Sequence, residues 1–584
     1  MKRKLVFILV SVILFSGCKK LVSPADENNR SLSDIYNDAA FAEGLLLNGY
    51  VRLPNGSYTF NDVATDNAVS NNPDNVYRQM ATGSWSAINN PMDQWTSAFA
   101  AIQYLNIILA ETDKVNWATT GQYTKEMFND RTKGEAYGLR AMFMHNLLQA
   151  HAGWVGGRLL GVPILTTPQD TKSDFTIPRN TFEECVQQIY KDLALAEQYL
   201  PLDFENVAST AQIPAKYAGK TSVADYNRVF GIFNRQRMTS RIVKGIRAKI
   251  SLLAASPAFN GGTTVTWTKA ADDAAAVLDL NGGISGIASN GNYWYASKNS
   301  GEINGLSAGI NPKEVLWRGN VSDANSLELD NYPPTLYGRG RVNPTQNLVE
   351  AFPMANGYPI GNQNSGYVSS APNSNRDPRL ALYVIVNGST AGPRNSTVLT
   401  RAGGTSDGIN AVATSTRTGY YMRKLLREDV SVDPANQNTQ RHYVPYIRYT
   451  ELYLAYAEAA NEAYGPDGKG THSYSAKDVI AAIRRRAGIT QPDNYLASIT
   501  STDEMRKLIH NERRIELCFE GFRFWDLRRW KENLTEPAKG ITINADGTSV
   551  VNTVETRLYS DFMYFGPIPY NEILKWGLIQ NTGW

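Results

Sequence analysis

Cysteine is nearly absent: three residues in 584, at Cys18, Cys185 and Cys518. The two beyond the N-terminal end cannot form a disulfide framework. Both fall in helical patterns, so buried free thiols are expected. Histidine is also sparse. Five residues, with no H-E-x-x-H string and no pair spaced for one helix face, offer no zinc site. His145 and His151 stand six apart in one helical stretch, on different faces, which suits packing or surface roles. No Asp-rich loop argues for calcium, and no metal or other cofactor is expected. Charge of one sign is never concentrated: the formal net charge is +3 and no basic run is longer than Arg484-Arg485-Arg486, which argues against a nucleic-acid partner. Beyond residue 20 no apolar run reaches the roughly 20 residues that span a bilayer.

Catalytic patterns are missing too. Gly305-Leu306-Ser307-Ala308-Gly309 and Gly404-Thr405-Ser406-Asp407-Gly408 match G-x-S-x-G, but neither lies between a buried strand and a helix, as a nucleophile elbow must. Gly219-Lys220-Thr221 imitates the end of a phosphate-binding loop, yet Pro214 takes the place of its first glycine.

At the N-terminus, Met1-Lys2-Arg3-Lys4 precedes an apolar run to Phe15 and then Ser16-Gly17-Cys18. A basic head, a short apolar segment and a small-residue exit describe a signal peptide over 1–17. The junction resembles a bacterial lipobox, so Cys18 is expected to be acylated and 18–33 to form a tether. Acylation of this kind gives stable membrane attachment.

Helical periodicity covers 34–50, 92–112, 129–151, 180–200, 239–256 and 267–279, and returns at 448–464, 476–487, 502–520 and 570–577. Between 281 and 447 the chain is rich in Gly, Asn, Ser and Pro, with short β-like runs such as Leu380 to Val386. In 448–464, Tyr449, Leu452, Tyr453, Tyr456, Ala460 and Ala463 mark one apolar stripe, and Gly465-Pro466-Asp467-Gly468 turns the chain into a second amphipathic helix. A small-residue helix, a turn and a second helix make a tetratricopeptide-like unit. The expected fold is mostly α: helical hairpins over 34–280 and 448–584, with 281–447 as a loop-rich, small-sheet region carrying the ligand surface. Tyrosine (31) and tryptophan (11) are plentiful, which suits a surface that grips ligands. Trp95 and Trp317 sit in periodic or β-like strings and are expected in the core.

The strings RYTELYLAYAEAANEAYG (Arg448 to Gly465), IAAIRRRAGI (Ile480 to Ile489) and NERRIELCFEGFRFWDLRRWK (Asn511 to Lys531) strongly resemble the SusD/RagB family of Bacteroidetes outer-membrane lipoproteins. FGPIPYNEILKWGLIQNTGW (Phe565 to Trp584) resembles that family's closing segment. Over the third string and the residues just before it, Met505, Leu508, Ile515, Phe519 and Phe522 mark an apolar face. Glu512, Glu516 and Glu520 are positioned to pair with Arg513, Arg523 and neighbouring helices, and so to stay ionised.

The resemblance implies a non-enzymatic lipoprotein at the outer membrane, facing outward, that captures oligosaccharide for a SusC-like TonB-dependent transporter. Some relatives with this scaffold capture peptide instead. A sugar ring presents a C–H face to aromatic rings and a belt of hydroxyls to Asp, Asn and Arg. Such residues combine at Asp66, Asn67, Trp85 and Asn89, and again at Tyr293, Trp294 and Tyr295 with Tyr332, Tyr337 and Arg339. By the resemblance, Trp85 and Trp294 would lead the platform, with Tyr293, Tyr295 and Tyr337 beside them.

Overall fold

The computed structural model describes residues 32–53, 58–174 and 176–584. The signal peptide, Cys18 and the tether up to residue 31 lie outside the described residues. Eight helices form the scaffold: α1 (Ala39–Tyr50), α2 (Trp95–Glu111), α3 (Gln122–His151), α4 (Phe182–Tyr199), α5 (Ser240–Ala255), α6 (Trp267–Leu278), α7 (Tyr449–Tyr464) and α8 (Ala476–Ala487). Each packs on the next in chain order, giving a stack of helical hairpins of tetratricopeptide type. Local chemistry sets the ends. Thr181 with Glu184 and Ser475 with Asp478 close reciprocal capping boxes at the starts of α4 and α8, and Gly488 in the left-handed region ends α8. Among the described residues no helix is long and apolar enough to cross a membrane.

The stack does not break between α6 and α7, although 170 residues of sequence separate Leu278 from Tyr449: the two helices pack directly. The chain between them leaves the stack and returns, stapled by short antiparallel ribbons. Val315–Arg318 pairs with Pro445–Arg448, Ser322–Ala324 with Gln440–His442, and Val342–Pro344 reaches back to Ala68–Ser70. The β-like run at 380–386 is mostly a helical turn, Pro378–Tyr383, because Asp377 caps the Arg379 amide and Pro378 presets the first turn. Only Val384–Ile385 is strand.

Helix α7 carries no single stripe. Every residue from Tyr449 to Asn461 is buried, because α5, α6, α8 and α9 (Thr502–Glu516) surround it. Its acidic residues are paired: Glu451 with Lys249 at 2.7 Å and Glu458 with Arg529 at 2.7 Å. Trp95 and Trp317 are core residues, and Cys185 and Cys518 are buried free thiols that burial pushes up to about 12.

Helix α9 joins two cores. Met505, Leu508 and Ile509 pack in the helical stack, whereas Ile515, Cys518 and Phe519 pack in a second core built from the 294–432 segment. The expected helix to 520 stops at Glu516. Phe519 and Gly521 adopt positive φ (65° and 83°), turning Phe519 into the second core before α10 (Arg523–Trp530) begins.

The three glutamates pair across helices rather than with Arg513 and Arg523. Glu512 meets Arg484 (2.8 Å) and Arg379 (2.9 Å), Glu516 meets Arg486 (2.5 Å) and Arg379 (3.0 Å), and Glu520 meets Arg448 (2.7 Å). Arg513 instead meets Asp526 (2.7 Å) and Arg523 meets Asp66 (2.9 Å). Burial alone would raise Glu516, but Arg486, Arg379, Arg448 and Lys424 hold it down to about 2.

Candidate functional site

A cleft of about 470 Å³ opens where the inserted segment meets the chain just before α2. Its walls come from Tyr58 and Phe60, from Asn72 and Asn75 after the 68–70 strand, from the short helix Ser326–Asn331, from Arg339 and Arg341, and from His442 and Tyr443. Backbone bonds lay the 337–341 turn against that helix: the amides of Arg339 and Arg341 donate to Leu329 O and Asp330 O, both at 2.8 Å. Gly338 is required there, because a Cβ would stand 2.0 Å from Tyr332 O.

The amide of Asn71 secures the other side. Its Nδ2 donates to Arg339 O at 2.9 Å and its Oδ1 accepts from Arg341 Nη1 at 3.3 Å. Tyr58 and Phe60 are half-buried with ring centroids 5.8 Å apart, and Phe60 holds φ at 46°, a costly conformation for a bulky residue.

Polar groups in the wall have capacity to spare. Asn331 is buried and its Nδ2 donates to Leu327 O, but its Oδ1 has no partner among the described residues. A buried acceptor left so costs about 1–3 kcal/mol. Asn75 uses Oδ1 to cap the amides of Tyr77 and Arg78, and Asn72 uses Oδ1 to accept from Asp74 N. His442 holds acceptors on both ring nitrogens, Gln440 O at 2.7 Å and Glu328 Oε1 at 2.9 Å. Burial lowers its pKa, but the Glu328 carboxylate and the Gln440 carbonyl outweigh that and raise it.

The residues nominated from sequence do not gather in one place. Arg339 lines the cleft and forms an exposed pair with Asp330 at 2.9 Å. Tyr337 is 54% exposed and lines a separate, smaller cavity of about 180 Å³ with Arg394 and Asp433. Asn89 is exposed and its amide turns back to Ser84 O at 3.2 Å. Tyr293 is half-buried with the Lys298 ammonium 3.7 Å from its ring centre.

The remaining nominees are buried, so their place on a platform is corrected. Trp294 is fully buried, with Tyr295 and Tyr443 packed against it at 5.4 and 5.3 Å between ring centres, and Tyr295 is buried beside it. Trp85 is buried edge-on to Trp584, Phe524 and Tyr559, with Nε1 donating to Asn90 Oδ1 at 2.9 Å. Asp66 is clamped by Arg523 and Arg514, which hold it well below the usual carboxylate range against the pull of burial. Asn67 is buried, bonded to Asp62 and Arg514. Tyr332 is buried, its hydroxyl donating to Arg427 O. Sequence reasoning missed Tyr58, Phe60, Asn72, Asn75, Asp330, Asn331, Arg341 and His442. The Tyr58-Thr59-Phe60 alternation and the Arg339-Gly340-Arg341 string were the available signals.

A helical-repeat scaffold carrying a long loop-rich insertion between two of its packed helices is the SusD architecture. The chain belongs to the SusD family: that family's model matches residues 293–584, and a second, described as starch-binding and associating with the outer membrane, matches residues 40–224. It is 31% identical over 120 residues to SusD-like protein P2 of Formosa agariphila, a stretch covering 19% of this chain and 22% of that protein, so the match spans about a fifth of the relative's length. Among solved structures, a SusD-like protein of Bacteroides fragilis superposes with a TM-score of 0.70 at 21% identity, covering 96% of this chain and 100% of the other. A SusD-like carbohydrate-binding protein of the same species gives 0.66 at 19% identity, covering 92% and 98%.

Proposed function

We propose that this protein is a lipid-anchored outer-membrane receptor, held by Cys18, that captures an oligosaccharide in the cleft beside Tyr58, Arg339 and His442 and delivers it to a SusC-like TonB-dependent transporter. The observation that carries the reading is the cleft itself. Two half-open rings suit the C–H face of a sugar, while Asn72, Asn75, Asp330, Asn331 and Arg339 supply donors and acceptors for its hydroxyls. Family membership, the description of the N-terminal family model and the carbohydrate-binding neighbour support it. Binding without covalent chemistry is the consistent role. Glu516, in the carboxylate-rich string, is held ionised, whereas a glycosidase needs one carboxylic acid kept protonated.

The test is retention on polysaccharide affinity gels followed by calorimetry with the retained glycan. Tyr58→Ala and Phe60→Ala are expected to weaken binding about tenfold each, the loss of roughly one stacking contact. Full affinity in both variants rejects this cleft. Failure to bind any glycan, with peptide co-purifying, replaces the ligand class.

A further inference from the structure

The charges in the cleft wall do not cancel. Asp330 is the sole carboxylate among the residues that line it, against Arg339, Arg341 and His442. His442 is matched from behind by Glu328, which is fully buried and 2.9 Å away. Arg339 is matched by Asp330, but that pair is half-exposed on both sides, at 50% and 48% of side-chain surface. Exposed pairs of this kind contribute about 0–1 kcal/mol, so either partner exchanges readily for a ligand group. Arg341 has no carboxylate within ion-pair distance among the described residues, and its recorded side-chain contact is the neutral Asn71 amide. A guanidinium half-buried in a cleft wall without an acid keeps most of its five-donor fork for an anion, and planar carboxylates and sulfates match that fork in two parallel bonds.

Resting on the glycan reading above, we infer that the ligand is an anionic oligosaccharide, a uronate or a sulfated sugar, whose acidic group is received by Arg341 with Arg339 at its side. The two sources of charge share one recognition chemistry. The Asn331 Oδ1 acceptor and the Asp330 carboxylate then take hydroxyls of the same residue or its neighbour, while Tyr58 and Phe60 cover the ring. A neutral glycan would satisfy the hydroxyl-binding groups and leave the Arg341 charge unanswered.

The experiment titrates full-length protein with oligogalacturonates, oligomannuronates and sulfated galactan fragments, each beside its carboxyl-reduced or desulfated counterpart of the same linkage. At least one acidic member is expected to bind about tenfold or more tightly than its neutral counterpart, with the advantage shrinking as salt rises. The uronate and sulfate arms identify which acid is meant. Arg341→Gln should erase that ratio, and Arg341→Lys should restore part of it. Neutral members binding as well as acidic ones, or a ratio that survives Arg341→Gln, overturns the inference while the glycan reading stands. Absence of binding to either series and to neutral polysaccharides overturns both. Thermal melting of each variant separates lost binding from lost folding, since Arg341 is half-exposed and its backbone amide bond to Asp330 does not depend on its side chain.

Discussion

Arg528 is buried without a carboxylate in ion-pair range among the described residues; it sits instead among aromatic faces, 3.5 Å from the ring centre of Phe524, 4.9 Å from Tyr559 and 5.0 Å from Trp85. Burial pulls its pKa down to about 10, so the guanidinium stays charged at neutral pH, answered by the ring faces and by the Phe524 carbonyl, which accepts from Nη1 at 3.1 Å. Trp85 is thus part of a cage. Trp85→Ala should cost about 3–5 kcal/mol from the cavity alone, seen as a lower melting temperature, while glycan affinity of the folded protein is unchanged. Lost affinity at full stability would contradict this role. The case shows why single residues were the least legible level. Trp85 and Tyr58 are both aromatic residues in polar loops, and composition cannot tell the ring that turns inward to a distant arginine from the one that turns outward. Arg339 was readable because its Gly-flanked turn forces it outward. His442 was not, because its place in the cleft depends on a ribbon to Ser322 that lies 120 residues away in sequence.

At the level of elements, most helices follow from their periodicity to within a few residues, because 3.6-residue spacing is a local property. The exceptions have long-range causes. Helix α9 ends early because Phe519 belongs to another core, and α7 lacks a polar face because four helices enclose it. The charged layer along α9 shows the same dependence. Arg379 is fully buried yet touches Asp377, Glu512 and Glu516, which come from two different regions of the chain. Glu516→Gln would leave Arg486 and Arg379 with an uncompensated share of charge, at a cost of about 3–5 kcal/mol, and denaturant titration should show it. A double replacement by apolar residues of similar size should cost much less than the single change, which a double-mutant cycle measures.

For the molecule as a whole, these buried ions set its response to acid. Glu516 and Glu458 are both held down to about 2 against an ordinary 4.5, so their stabilisation is complete above pH 4.5 and is lost as pH falls toward 2. His145 adds to this from higher pH. Burial and the nearby Lys249 hold it at about 3 against 6.5, so the folded state resists a proton that the unfolded chain accepts below 6.5. The melting temperature should therefore decline from about pH 6.5 and steeply below 4.5; a flat profile between pH 7 and 3 would contradict this account.

The unbroken packing of α6 on α7 has a consequence for how such a protein changes over time. The 170-residue excursion leaves and rejoins the stack at adjacent points, so its surface loops can vary without altering the register of any helical hairpin, while Trp317 in the stack's core and Arg379 on α9 tie its base in place. Tyr58, Phe60 and Asn72 form the half of the cleft outside the excursion, while Asp330, Asn331, Arg339 and Arg341 form the half that the excursion supplies. Rewriting the loops of the excursion would thus remake one wall of the cleft while the other wall and the stack that supports it keep their places.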